Sequence, residues 1–352
     1  MSRAGCNRKT ALATLTMTLA AEAADLDMLW YFKGSAVGFA HHRGFTHTLI
    51  GAPVVAAFVV GAVWLGRKLW QKWKPPAEAK PAGAVSPLPI RWGWLYLFAC
   101  LAAYSHILLD FTNSYGVRLF WPFSSRWYSW DIVFIVEPAI LVVLIAGLVL
   151  PSLFSLVNQE IGARQKGPRG RGGAITALVL VVLIWGLRDY EHRRAVYALA
   201  SLEYQGAIPN RVAAYPYEFN PFRWYGVVET DDFYEGMRVD SLGPEVDPQG
   251  RAVTYYKPTE NKAIAAAKET YLGRVYLDWA QFPIMEVQEH GDPHPGYTVI
   301  FRDLRFMYPG RRESNALAAY VDLDPMYREI GEGFLIGNPT HGRMEGTASP
   351  DQ

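Results

Sequence analysis

The sequence predicts an α-helical polytopic membrane bundle followed by a small extracytoplasmic α+β domain. Three observations predict it. The first half holds four apolar runs, at residues 49–66, 92–109, 132–157 and 174–187. The stretches between them carry basic residues on alternate sides. Beyond residue 200 the pattern changes to short runs rich in Val, Tyr, Phe and Ile, interspersed with acids. Composition agrees: charged residues make up 19%, below the roughly 25% of soluble domains, and 12 Trp suit a membrane–water interface. A net charge of +1 over 352 residues gives no basic field, which excludes a nucleic-acid partner. The two cysteines, Cys6 and Cys100, exclude a disulfide scaffold and a Cys-based zinc site.

A bilayer core of about 30 Å needs roughly 20 helical residues. The runs at 49–66, 92–109 and 132–157 meet that length, and 174–187 does so by borrowing its flanks. The N-terminus has two readings. Arg3, Arg8 and Lys9 before an apolar stretch ending Ala21-Glu22-Ala23 fit a secretory signal, or a short retained first helix. The stretch 67–91 carries Arg67, Lys68, Lys72, Lys74, Lys80 and Arg91 against Glu78, and includes a flexible Pro/Ala-rich linker. The stretch 158–173 carries Arg164, Lys166, Arg169 and Arg171 against Glu160. The positive-inside rule puts both in the cytoplasm, so 25–47, 110–131 and everything after Arg188 face outward.

Residues 1–200 are therefore assigned to the bundle, 201–340 to the soluble domain and 341–352 to a disordered tail. Strand-like runs lie at 222–229, 233–239, 284–288, 297–305 and 316–323, with helical material at 262–279. One antiparallel sheet with helices is the economical arrangement.

Ionisable residues beside spans are costly and usually functional. Here they gather on the outward face: Asp25 and Asp27, then His41, His42, Arg43 and His47, then His106 and Asp110, then Asp131. The i, i+4 spacing puts His106 and Asp110 on one helix side, and imidazole with carboxylate suits zinc, manganese or iron. Asp25, Asp27, His42, His47, His106 and Asp110 are the candidate ligands of a divalent metal ion, with His47, His106 and Asp110 expected around a common point. Thr46 is the expected N-cap of the next helix, with His47 in its first turn. His290 and His294 suit a polar turn better than a metal site. Glu137, beside Pro138, fits either a site role or a helix kink. Trp121, Phe123 and Trp127–Trp130 suit an aromatic belt.

These residues resemble the YdjM-like family of inner-membrane metal-dependent hydrolases. The resemblance rests on Ala-Asp-Leu-Asp (24–27), His-Arg-Gly-Phe-Thr-His (42–47), Ser-His-Ile-Leu-Leu-Asp (105–110) and Asn-Ser-Tyr-Gly-Val-Arg-Leu-Phe-Trp-Pro-Phe (113–123). Trp-Asp (130–131), Glu-Pro (137–138) and the stretch 220–230 extend it. It implies an inner-membrane hydrolase, zinc as the metal, and a phosphoester or phospholipid substrate. It also implies Arg43 as an anion clamp, and Asp131 as a general base or a partner fixing a ligand His. Family members usually carry Pro at position 24, and usually begin with a further helix bearing a Thr-His pair. The resemblance thus implies either an additional upstream helix and ligand or a site with one ligand fewer. It argues against cleavage after Ala23, which would leave Asp25 at a frayed end. The competing expectation is a non-enzymatic membrane protein with a structural or metal-binding cluster and a partner-docking soluble domain.

Overall fold

The structure, a computed structural model, describes residues 1–73, 88–160, 170–243, 245–308 and 317–335. The expected linker at 74–83, most of the second basic loop and the expected disordered tail lie outside the described residues. The helices of the first two hundred residues are α1 (Ala13–Glu22), α2 (Ser35–His41), α3 (Gly51–Trp73), α4 (Trp92–Thr112), α5 (Pro138–Glu160) and α6 (Arg171–Ala200). Two compact units result, Met1–Asp27 with Arg43–Leu187, and Met28–His42 with Arg188–Gln352.

In the first unit, α1 packs against both α3 and α4. Their shared core is built largely of small residues: Ala13, Ala20, Ala56, Ala99 and Ala102, with Met17, Val59, Leu95 and Phe98 between them. Alanine at the contacts lets helix backbones approach closely, which is how apolar helices associate where lipid removes the hydrophobic drive. Thr10 ties the start of α1 to the chain entering α4, accepting the Arg91 N–H at 2.8 Å. A second small-residue contact joins α5 to α6. A Cβ at Gly147 would sit 2.6 Å from Ala177 Cβ and 2.8 Å from Gly173 O.

Among the described residues, α3, α4 and α6 are long and apolar enough to cross a membrane, while α5 offers the shorter apolar stretch Pro138–Pro151. The run from residue 132 cannot be helical at its start, because Ile132 N–H and Val133 N–H both bond Thr112 O. Glu137 precedes Pro138, the first residue of α5, and receives the Phe134 N–H on its carboxylate. No kink arises there.

The second unit contains two antiparallel sheets rather than one. The first has strands β1 (Arg211–Pro216), β2 (Arg223–Glu229), β3 (Phe233–Asp240), β4 (Glu245–Val246) and β5 (Val253–Tyr256), in the order β1-β2-β3-β4 with β5 also on β3. After α7 (Lys262–Glu269) and α8 (Tyr271–Trp279), the second follows as β6 (Pro283–His290), β7 (Gly296–Asp303), β8 (Ala319–Leu323) and β9 (Glu329–Phe334), in sequential order. The helical stretch at 262–279 is split at Thr270, whose hydroxyl accepts the Gly273 N–H and caps α8. His290 ends β6 and bonds Thr298 across the hairpin at 2.8 Å.

The unit boundary falls at Arg188, not at residue 200. Arg188 is 2% exposed and donates to Tyr217 O and Asn220 O, while Ala195 and Leu199 join the core with Trp224, Val228 and Met237. The last turns of α6 therefore belong to the sheet they pack on. Met28–His42 also belongs with this unit: Phe39, 3% exposed, lies among Tyr276, Trp279 and Phe334.

Candidate metal centre

Asp25 follows the C-terminus of α1, His47 precedes the N-terminus of α3, and His106 and Asp110 lie in the last turns of α4. The antiparallel order of these helices brings all four to one end of the bundle.

The local sequence fixes His47 outside α3. Thr48, not Thr46, caps that helix: its hydroxyl accepts the Gly51 N–H at 2.8 Å and its carbonyl the Ala52 N–H at 3.0 Å. His47 then ends a single 3-10 turn, Phe45–His47. The fit is tight, since a Cβ on Gly51 would lie 1.8 Å from Phe45 O. Thr46 is freed for another task. It donates to Asp27 Oδ2 at 3.0 Å.

Two imidazole nitrogens face two carboxylate oxygens. His47 Nε2 is 3.5 Å from Asp25 Oδ1 and 3.3 Å from Asp110 Oδ2. His106 Nε2 is 3.4 Å from each of the same two oxygens. Ligand atoms of Asp25, His47 and His106 all lie within 4.8 Å of one another. Charge-assisted N–H···O⁻ bonds close to about 2.7–2.9 Å, so these separations are too long for good hydrogen bonds. They equal the spacing of neighbouring ligand atoms around one cation, about 3.3–3.4 Å for tetrahedral bonds of about 2.0–2.1 Å. The buried Nε2 of His106 has no hydrogen-bond partner. Donor chemistry and spacing both fit a divalent cation.

Asp27 is placed behind this group, not within it. Its Oδ2 lies 3.0 Å from His47 Nδ1 and accepts the Arg43 N–H at 2.8 Å. It is thus the carboxylate that fixes the ring, the position in which metal-site histidines commonly have a partner. Arg43 is likewise committed inward. Its guanidinium donates to Asp110 Oδ1 at 2.8 Å, Asn113 Oδ1 at 3.2 Å and Gly116 O at 3.1 Å, and stacks 4.6 Å from the Tyr115 ring. At 8% exposure it holds Asp110 instead of standing open as an anion clamp.

His42 lies in the other compact unit, just after α2, with its ring edge-on to Tyr31 at 6.4 Å. Arg43 follows in the left-handed region, φ 53°, which turns the chain back toward Asp27. Asp131 also has positive φ, 57°. Its neighbours Trp130 and Ile132 bond Phe111 O and Thr112 O, setting it beside the turn of α4 that carries Asp110. Of the aromatic group, Trp127 packs on Tyr115 and Arg118, whereas Phe123 is 87% exposed.

Burial alone would lower the His47 pKa, but Asp110, Asp25 and Asp27 outweigh it and push the ring up to about 10. In return His106 and His47 hold the Asp25 carboxyl well below the usual range. His47 is fully buried while the Asp25 side chain is 40% exposed, so the centre opens on the Asp25 side.

The profile of a family described as YdjM inner membrane protein matches residues 2–195. A Bacillus subtilis (strain 168) protein described as uncharacterized, YfhP, is 26% identical over 139 residues. That match covers 39% of this chain and 36% of the relative's own length. No solved structure matches the chain.

Proposed function

The chain belongs to the YdjM inner membrane protein family, and from there we propose that it is an integral-membrane, metal-dependent hydrolase centred on Asp25, His47 and His106, with Asp110 set against both histidines. The observation that carries this is the set of four nitrogen–oxygen separations between 3.3 and 3.5 Å. A divalent cation held there, zinc by ligand type, supplies Lewis acidity and lowers the pKa of bound water. The protein's own groups do the remainder. Asp27 keeps the proton on His47 Nδ1, so that the Nε2 lone pair faces the centre. Arg43 fixes the Asp110 carboxylate. Asp131 is assigned the proton from the attacking water, acting as general base.

The substrate class is a phosphoester, such as a lipid headgroup, reached at the extracytoplasmic face of the inner membrane by a multi-pass chain. Charge supports the orientation. Arg67, Lys68 and Lys72 lie in the last turns of α3 and Arg91 just before α4, at the helix ends opposite His47 and Asp110. A non-enzymatic role has one observation in its favour: Arg43 already neutralises Asp110 without a ligand. Elemental analysis of detergent-purified protein tests the centre. Metal should accompany the wild type and be lost in His106→Ala/Asp110→Ala; near-zero metal in both overturns the proposal. Metal retained without turnover of phosphodiester or phospholipid substrates would favour the non-enzymatic role.

A further inference from the structure

The C-terminal unit contains a second site of different chemistry. A cavity of about 250 Å³ lies between the start of β2, β3 and the turn before β5, and its walls carry Arg223, Arg238 and Arg251 with Tyr217, Asp247 and Gln249. Strand register explains two of the arginines. Arg223 pairs with Asp240 and Tyr225 with Arg238, so both arginines project from one face of the sheet. The third is delivered by a turn. Asp247 accepts the Arg251 N–H at 2.8 Å on one carboxylate oxygen and the Ala252 N–H at 3.0 Å on the other. Gly250, φ 60°, closes the turn by donating to Asp247 O.

That turn occupies the one carboxylate in the pocket with main-chain amides. Among the described residues, no ion pair or side-chain hydrogen bond engages the guanidinium of Arg223, Arg238 or Arg251. The buried Nε of Arg238 has no acceptor. Other arginines of this unit are paired: Arg211 with Glu229, Arg302 with Glu286, Arg305 with Asp303. The three guanidinium groups outnumber the carboxylates near them, Asp247 held by main-chain amides and Asp240 opposite Arg223, and leave an excess of positive charge in a small concave space. Planar guanidinium forks match the oxygens of a phosphate group, singly or bidentately.

We propose that this pocket binds a phosphate group, carried either by a soluble phosphate compound or by a lipid headgroup. The site belongs to the other compact unit from the metal centre and does not depend on hydrolase activity. Full-length protein in detergent is treated with EDTA, so that the metal centre cannot contribute, and titrated calorimetrically with inorganic phosphate and pyrophosphate. Saturable binding should weaken about tenfold or more in Arg238→Gln and in Arg223→Gln. It should be unchanged in Arg328→Gln, a 75% exposed arginine elsewhere in the unit, and in His106→Ala. Arg223 is exposed, so its variant tests the site even if Arg238→Gln fails to fold. Competition by dihexanoyl phosphatidic acid below the concentration needed for inorganic phosphate assigns a headgroup; weaker competition assigns a soluble ligand. Absent binding, equal binding in wild type and both arginine variants, or displacement of phosphate by equimolar succinate overturns the proposal.

Discussion

Asp25 faces Nε2 of His47 and Asp27 faces Nδ1, and that difference of one ring edge separates a ligand from its support. In sequence the two aspartates are equivalent acids, two apart, after an apolar run. Nothing in spacing tells which nitrogen each will meet. Asp27→Asn keeps the shape but removes the charge behind the ring, and should weaken metal affinity about 10- to 100-fold with stoichiometry retained. Metal-buffer titration measures it. His47 also predicts a pH dependence. Its pKa is about 10 in the folded, metal-free protein against 6.5 as reference. The ion-pair stabilisation is therefore complete below pH 6.5 and is lost as pH rises through about 10. Metal must displace that proton, so metal affinity climbs across the same window. Melting curves of EDTA-treated and metal-loaded protein from pH 6 to 10 should diverge steadily, the metal-free curve falling.

At the scale of elements, the helices carry the residues that the sequence marks, but turns decide their use. The apolar runs at 49–66 and 92–109 were legible because length and composition alone identify them. The start of α5 was not, since the main-chain bonds of Ile132 and Val133 to Thr112 depend on a distant partner. The strands β1, with two alanines and a terminal proline, and β9, with two glycines, lack the β-branched signal that reveals β2 and β7. The cap at Thr48 shows the same limit, because Thr46 and Thr48 are equally good candidates until Gly51 closes on Phe45. Gly51→Ala must push the 3-10 turn away and displace His47. Bound metal should fall sharply in that variant while helical circular dichroism persists. At the α5–α6 crossing, where a Cβ on Gly147 would already lie 2.6 Å from Ala177 Cβ, Gly147→Leu overpacks the contact and should cost about 1–3 kcal/mol. Thermal unfolding in detergent checks it.

At the scale of the whole molecule, orientation is open to direct labelling. With Cys6 and Cys100 removed, single cysteines at Ser86 and Met326 report the two sides; Met326 is 69% exposed. An impermeant thiol reagent on intact cells with a permeabilised outer membrane should modify position 326 and spare 86. The inverse pattern would move the metal centre to the cytoplasmic side. The excursion Met28–His42 has a further consequence, for the order of synthesis. It leaves the first unit after Asp27 and returns at Arg43, where the Arg43 N–H to Asp27 bond closes its base. Its Phe39 waits for Tyr276, Trp279 and Phe334, made far later on the ribosome. Until β9 emerges, the nascent chain must carry an uncovered aromatic side chain from a segment translated long before it. A fragment beginning at Arg188 would lack the residue that fills this core, so its soluble yield should rise when a Met28–His42 peptide is co-expressed.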